Sequence, residues 1–172
     1  MTSTTTPDHV RLCKFLRVPP QQVYDAWLKP EVRMKWWGAD PAMTCSFCDI
    51  EPKVGGAYRV GMNNPKHGPD HPDEPAEFVV SGRFTELDPP HRMAFTWAWE
   101  AGPGAGFESE VTLDFLPAEH DGQPATELVL THTRLPNGMM RSEHCAGWVG
   151  CLRNLGYHFH NTWPAETAAM RG

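Results

Sequence analysis

Proline is the residue that most constrains this chain, because its 17 copies divide the sequence into segments that can and cannot form regular structure. Proline has no backbone donor and disrupts both helix interiors and central strands. Helices and strands are therefore expected between the prolines. The main proline-free windows are 76–88, 91–102, 104–116, 125–135 and 137–163.

Four of these windows show the alternation of half-buried antiparallel strands. Val111, Leu113 and Phe115 alternate with polar residues, and Leu128, Leu130 and His132 share one face of the next window. Such period-two patterns, rich in β-branched and aromatic residues, predict strands. Three further strands are expected at the opening segment from Val10 to Phe15, at 44–51 and at 57–62.

Helices are predicted at 20–29, at 30–37 and at 139–163. The last segment is the longest, and its apolar residues recur at i+3 and i+4 spacing, which gives one continuous stripe. Its stripe residues are Met140, His144, Trp148, Cys151, Leu152, Leu155 and Phe159. A run of strands flanked by helices indicates an α+β fold in which the long helix buries its stripe against the sheet.

The long helix also contains Gly147, Gly150 and Gly156. Each interior glycine costs about 0.8–1.0 kcal/mol relative to alanine. The glycines allow either close packing of the helix against its neighbours or space for a bound molecule, and the sequence leaves both explanations open. The seven tryptophans and eight phenylalanines likewise fit either an aromatic cavity wall or a filled core.

Several short segments occur in an order that resembles a known family. They are VYDAW (23–27), WWG (36–38), DIEPKVGGAYR (49–59), GRFTEL (82–87), PHRMAFTWAW (90–99), VTLDF (111–115), LTHTRLP (130–136) and GW (147–148). The set is similar to the family built on the C-terminal domain of the activator of the heat-shock protein 90 ATPase. That family lies in the START-like (SRPBCC, helix-grip) superfamily.

The resemblance implies a helix-grip fold, in which a curved antiparallel sheet of about six or seven strands surrounds a long C-terminal helix. Two short helices follow the first strand. The domain is expected at 9–163, with tails at 1–8 and 164–172. The polar, proline-rich insert 63–75 departs from the family pattern, and the resemblance places it over the mouth of a cavity.

The resemblance further implies that a small hydrophobic or amphipathic molecule binds between sheet and helix. The expected ligand-binding residues are Tyr58, Val60, Met62, Phe84, Phe95, Trp97, Trp99, Leu113, His132, Trp148, Leu152 and Leu155. One alternative is an enzyme of cyclase, dehydratase or hydrolase type with His132 as the acid or base, since histidine titrates near neutral pH. Another is a module that binds a chaperone or forms a homodimer.

Charge and cysteine content limit the partners. The formal net charge of −6, without a basic run, argues against nucleic acid and anionic membranes, and no apolar stretch reaches 18 residues. Five cysteines in a chain with an ample core indicate reduced thiols and a cytoplasmic protein. Cys45 and Cys48 form an isolated C-x-x-C whose thiols are expected on opposite faces of a strand, which argues against a zinc site. Possible metal ligands also crowd the insert, but they lack the spacing of a known site and fit a solvated loop; they are His67, Asp70, His71, Asp73 and Glu74. No metal or other cofactor is predicted.

Overall fold

The chain forms seven strands and three helices within residues 9–160, which are the residues described by this computed structural model. In chain order the elements are β1 (Val10–Leu16), α1 (Pro20–Leu28), α2 (Pro30–Arg33), β2 (Cys45–Ile50), β3 (Ala57–Asn63), β4 (Glu77–Asp88), β5 (Arg92–Trp99), β6 (Ser109–His120), β7 (Gln123–Thr133) and α3 (Gly138–His160). The predicted α+β, helix-grip class is confirmed. The expected tails and the end of the long helix at 161–163 lie outside the described residues.

All seven strands form one antiparallel sheet in the order β1-β7-β6-β5-β4-β3-β2. Strands β2 to β7 follow one another as a meander, and β1 adds to the far edge beside β7. The register pairs Leu113 with Leu130 and Phe95 with Val111. Because paired residues point to the same face, these apolar side chains form one continuous inner surface.

Strands β6 and β7 extend past the prolines that end their sequence windows. Pro117 pairs with Thr126, and Pro124 pairs with Glu119. The pairing of β5 with β6 ends at Asp114, so the tip of the β6–β7 hairpin extends beyond β5. A proline is tolerated there because no neighbouring strand needs its missing donor.

Prolines also set the boundaries of the first two helices. Pro20 and Pro30 occupy the first turn of α1 and α2, where the missing N–H has no intrahelical partner to lose. Lys29 lies between the helices with ψ of 116°, because the residue before a proline is driven out of the helical region. Helix α1 buries Val23 and Trp27 against the sheet.

Two of the glycines of α3 serve close packing. A Cβ at Gly150 would lie 1.8 Å from the carbonyl oxygen of Ala39, and one at Gly156 would lie 2.9 Å from Cε of Lys14. The segment 34–44 and strand β1 thus approach α3 at the two positions that have no side chain. Of the two explanations that the sequence leaves open, packing accounts for these residues.

The insert between β3 and β4 folds back on itself. Asn64 is buried, and its Nδ2 donates to the Pro75 carbonyl at 2.8 Å and to Glu74 Oε2 at 3.2 Å. His67 Nδ1 lies 2.6 Å from the Glu74 carbonyl oxygen. These bonds join the beginning of the insert to its end. None of the helices described in residues 9–160 has the length and hydropathy needed to cross a membrane.

Candidate functional site

Side chains of the sheet and of α3 meet in an aromatic interior. Every residue expected to bind a ligand lies on this side of the sheet or on the inner face of α3, and all are buried except Trp99, which is partly buried. They are Tyr58, Val60, Met62, Phe84, Phe95, Trp97, Trp99, Leu113, His132, Trp148, Leu152 and Leu155. Strand parity and helical spacing therefore identify the inward-facing residues.

Tryptophan rings from four parts of the chain contact one another in this interior. Trp148 of α3 lies 4.8 Å from Trp97 of β5, 5.7 Å from Trp37 and 6.0 Å from Trp27, measured between ring centroids. Trp36 contacts Trp27 at 4.8 Å. Helix α1 and the segment after α2 thus supply aromatic surface to the same centre as sheet and α3.

His132 is fully buried and has both ring nitrogens engaged. Trp148 Nε1 donates to its Nδ1 at 2.9 Å, and Ser109 Oγ lies 2.7 Å from its Nε2. An indole N–H can only donate, so the neutral ring carries its proton on Nε2 and donates to Ser109. The hydroxyl of Ser109 in turn donates to the Trp97 carbonyl at 3.2 Å.

His144 of α3 repeats this arrangement next to His132. Trp99 Nε1 donates to its Nε2 at 3.0 Å, so its Nδ1 carries the proton and donates to the Met140 carbonyl at 2.7 Å. Burial lowers the pKa of His132 to about 3, with the adjacent His144 adding to the shift, and burial lowers the pKa of His144 as well. Both imidazoles are therefore neutral at physiological pH, and neither has a free nitrogen to exchange a proton with a substrate.

Arg33 is the buried cation of this interior. It is 1% exposed, and its guanidinium carbon lies 4.2 Å from the ring centroid of Trp37, 5.4 Å from that of Trp27 and 5.9 Å from that of Tyr58. Nη1 donates to the Trp27 carbonyl at 3.2 Å, whereas Nε and Nη2 have no hydrogen-bond partner among the described residues. Aromatic faces stabilise a desolvated cation by about 2 kcal/mol, against a burial penalty of several kcal/mol.

Three thiols lie in the electrostatic field of Arg33. They belong to Cys45, Cys48 and Cys151. Burial raises the pKa of Cys45 to about 11 and that of Cys151 to about 12, and it raises the pKa of Cys48 too, although the guanidinium opposes all three shifts. These cysteines are neutral thiols at physiological pH, so they supply no negative charge to Arg33.

The expectation that Cys45 and Cys48 face opposite sides of a strand is wrong. Cys45 pairs with Met62 and Cys48 with Val60, because a β-bulge near Phe47 shifts the register by one residue. Met62 and Val60 both face the interior, so the bulge turns both cysteines inward. The thiols are close enough for Cys48 to raise the pKa of Cys45.

A groove of about 350 Å³ opens beside this cluster, between the segment 34–44 and the C-terminal half of α3. Its lining includes Trp37 and Cys45, which both interact with Arg33. The rest of the lining is Met34, Lys35, Trp36, Pro41, Met43, Thr44, Asn154, Tyr157 and His158. The groove therefore combines apolar walls with the ammonium group of Lys35.

A second, larger groove of about 790 Å³ is lined by charged residues of β2, β3 and β4. Its arginines already have partners. Arg59 Nε lies 2.7 Å from Glu100 Oε2, and Arg83 Nη1 donates to the Gly55 carbonyl at 2.9 Å. The groove beside α3 is the better candidate site, because it is next to Nε and Nη2 of Arg33, which have no hydrogen-bond partner within residues 9–160.

Sequence reasoning did not identify Arg33, Trp37 or Ser109 as site residues. A signal for Arg33 is present, since it precedes Trp36 and Trp37 by three and four residues and so shares a helical face with them. Ser109 follows the inward parity of Val111 on β6. In each case the position, rather than the residue type, carries the signal.

Comparison with known proteins agrees with this architecture. The family described as Activator of Hsp90 ATPase homolog 1-like protein matches residues 17–159. Protein CV1439 from Chromobacterium violaceum is 23% identical with a TM-score of 0.72, covering 90% of this chain and 98% of that chain. The AHSA1 protein from Silicibacter pomeroyi is 24% identical with a TM-score of 0.68, covering 94% of this chain and 99% of that chain. CalU16 from Micromonospora echinospora is 20% identical with a TM-score of 0.60, covering 95% and 81%.

No curated protein matches the sequence. At these identities the solved structures establish the fold. The family match is broader evidence, because it spans most of the chain and includes both the tryptophan-bearing segment after α2 and most of α3. This chain therefore belongs to the Activator of Hsp90 ATPase homolog 1-like family.

Proposed function

We propose that this protein binds a small hydrophobic or amphipathic molecule in the groove between the segment 34–44 and the C-terminal half of α3. The observation that carries the proposal is the groove beside α3, whose floor includes Trp36 and Trp37. None of the twelve predicted ligand-binding residues lines the groove, but Trp37 of its lining contacts two of them, Trp97 and Trp148. Membership of a START-like family, whose members commonly bind hydrophobic ligands, supports the same function.

The geometry of His132 favours a binding protein over an enzyme. A general base needs a free nitrogen near neutral pKa within reach of the proton it removes. Both nitrogens of His132 are occupied by Trp148 and Ser109, and its low pKa keeps the ring neutral. The Ser109 hydroxyl accepts a hydrogen bond from the imidazole N–H and donates one to the Trp97 carbonyl, which is the reverse of the arrangement in an activated nucleophile.

Native mass spectrometry of freshly purified protein tests the proposal. We expect a mass above that of the chain, which denaturation in organic solvent releases as a small molecule. Replacing Trp148 with leucine should reduce the retained fraction, because it removes a ring at the centre of the aromatic contacts. The matched control is Val54→Ala, at a residue 62% exposed in the turn between β2 and β3.

Absence of any retained molecule would not suffice alone, since a weak ligand can be lost during purification. The companion measurement is displacement of the fluorescent probe 1-anilinonaphthalene-8-sulfonate by a panel of apolar and amphipathic molecules. A protein that retains nothing, and that binds neither the probe nor any member of the panel, does not have the proposed function.

A further inference from the structure

Arg33 is the only lysine, arginine, aspartate or glutamate that is buried within residues 9–160. A buried charge is normally paired, because an ion loses its hydration when the chain folds. The described structure gives Arg33 three aromatic rings and one backbone carbonyl, and no carboxylate. The neighbouring thiols are neutral, so no residue within 9–160 neutralises the guanidinium.

The two unpartnered nitrogens of Arg33 form one edge of the guanidinium. Nη1 is occupied by the Trp27 carbonyl, and the remaining edge carries the Nε–H and Nη2–H donors side by side. Two parallel N–H groups on one edge match the two oxygens of a carboxylate, which is the strongest geometry an arginine offers. The Nε–H and Nη2–H groups of Arg33 together therefore form a complete bidentate donor.

We infer that the molecule bound beside α3 is a monocarboxylate with an apolar body, and that Arg33 holds its carboxylate through Nε and Nη2. This inference rests on the proposed function and specifies its ligand class. A single negative charge balances the single guanidinium. A dianion such as a phosphate monoester would bring a second charge into a site walled by Trp27, Trp37 and Tyr58, at a further cost of desolvation.

The groove lies next to Arg33, although Arg33 itself is not part of its lining. Trp37 lines the groove and stacks on the guanidinium, so it is the side chain that separates the two. Within residues 9–160 its indole N–H has no hydrogen-bond partner, as is also true of Trp27 and Trp97, whereas that of the adjacent Trp36 donates to the Ala26 carbonyl at 3.0 Å. Because Trp37 both lines the groove and covers the guanidinium, the proposed binding requires its ring to move aside.

The groove also suits the rest of the molecule. Met34, Met43 and Trp36 provide apolar contact for a hydrocarbon body, and unbranched methionines adapt to irregular shapes. Lys35 lies at the groove and adds positive potential along the path of an entering anion. Among the described lining residues there is no aspartate or glutamate to repel it.

Calorimetric titration of the whole chain with octanoate and with octanamide tests the inference, because the two probes share a hydrocarbon body and differ in charge. Wild-type protein should bind octanoate about ten- to a hundredfold more tightly, which is the range expected for hydrogen bonds to a charged group. In Arg33→Met, a neutral side chain of similar length, the two probes should bind equally. Lys35→Met should keep most of the preference, and Arg11→Met, at an exposed residue of β1, should keep all of it.

Equal binding of octanoate and octanamide to the wild type overturns the role of Arg33 and leaves the proposed function standing. A preference that Lys35→Met abolishes and Arg33→Met keeps assigns the carboxylate to the groove surface and also overturns the inference. If neither probe binds, the inference is wrong, while the retained-mass experiment still decides the proposed function separately. A retained molecule that proves to be uncharged has the same consequence.

If Arg33→Met does not fold, a measurement on the wild type tests the inference instead. The Arg33 Nε–H resonance in a ¹⁵N-correlated spectrum should move on titration with octanoate and stay in place with octanamide. The Nε–H resonance of the exposed Arg11 is the internal control and should not move with either probe. If the Arg33 Nε–H resonance does not shift at a saturating concentration of octanoate, the inference is wrong.

Discussion

Acidification should destabilise this protein through His132 before most carboxylates are protonated. The imidazole is 0% exposed and neutral, and its pKa is lowered from 6.5 to about 3, primarily by burial and then by the electrostatic interaction with the adjacent His144. In the unfolded chain the same group binds a proton near pH 6.5. Between these values the unfolded state holds the extra proton, so stability is present above about pH 6.5 and is lost as the pH falls toward 3.

The magnitude at pH 4.5 does not depend on the precise pKa of the folded state. That pH lies above the folded pKa and about two units below the unfolded one, so the loss is set by the unfolded value alone. At 1.36 kcal/mol per unit, two units amount to about 2.7 kcal/mol. This is a large fraction of a typical free energy of unfolding of about 5–15 kcal/mol.

Urea unfolding at pH 7 and at pH 4.5, followed by tryptophan fluorescence, measures the loss. The wild type should lose about 2.7 kcal/mol more than His132→Gln, because glutamine keeps an acceptor and a donor for Trp148 and Ser109 but does not titrate. The protonation of all other groups contributes equally to both proteins, so it cancels in this difference. The same substitution at the exposed His91 reports the effect of losing an imidazole at the surface. Equal pH dependence in wild type and His132→Gln would refute the assignment of His132 as a buried neutral base.

Three further predictions follow from packing and hydrogen bonding. Trp148→Ala should lower the free energy of unfolding by about 3–5 kcal/mol and weaken binding of apolar probes, and an unchanged urea midpoint would contradict the central position of this ring. Gly150→Ala should destabilise the protein by about 1–3 kcal/mol, because the new methyl group clashes with the Ala39 carbonyl. A thermal-shift assay that finds stabilisation would show that the segment 34–44 moves away at little cost. Tyr58→Phe removes the 2.5 Å bond to the Thr96 carbonyl and should cost about 1 kcal/mol, measured by urea unfolding, while near-UV circular dichroism keeps its native form.

The fold could be predicted because its signals are local. Alternation over 111–115 and 128–132 identifies two central strands and their inward faces, and the stripe from Met140 to Leu155 identifies the inner face of α3. Pro117 and Pro124 led to predicted β6 and β7 strands that are shorter than the observed ones. The sequence does not show that the tip of the β6–β7 hairpin extends beyond β5.

The site was less predictable, because the local signals of its residues are weak. The bulge near Phe47 reverses the face of Cys45 without any glycine to mark it. Arg33 ends a helix of four residues, too short to show a stripe, and arginine is normally an exposed residue. Its burial follows from the way the α1–α2 segment closes over the sheet, which only the tertiary structure shows.

The position of β1 beside β7 determines when the interior can be completed. Val10 pairs with His132, residues 122 positions apart in sequence (132 − 10), whereas the other strands pair with their immediate neighbours along the chain. The meander from β2 to β7 can form from local hairpins, but the opening strand has to wait until the last strand has left the ribosome. Trp27 and Trp37 also contact Trp148 of α3, which follows β7 in the chain, so part of their aromatic surface stays uncovered until that helix is made. The nascent chain therefore carries an exposed aromatic segment through most of its synthesis, which is the kind of intermediate that aggregates and that chaperones bind.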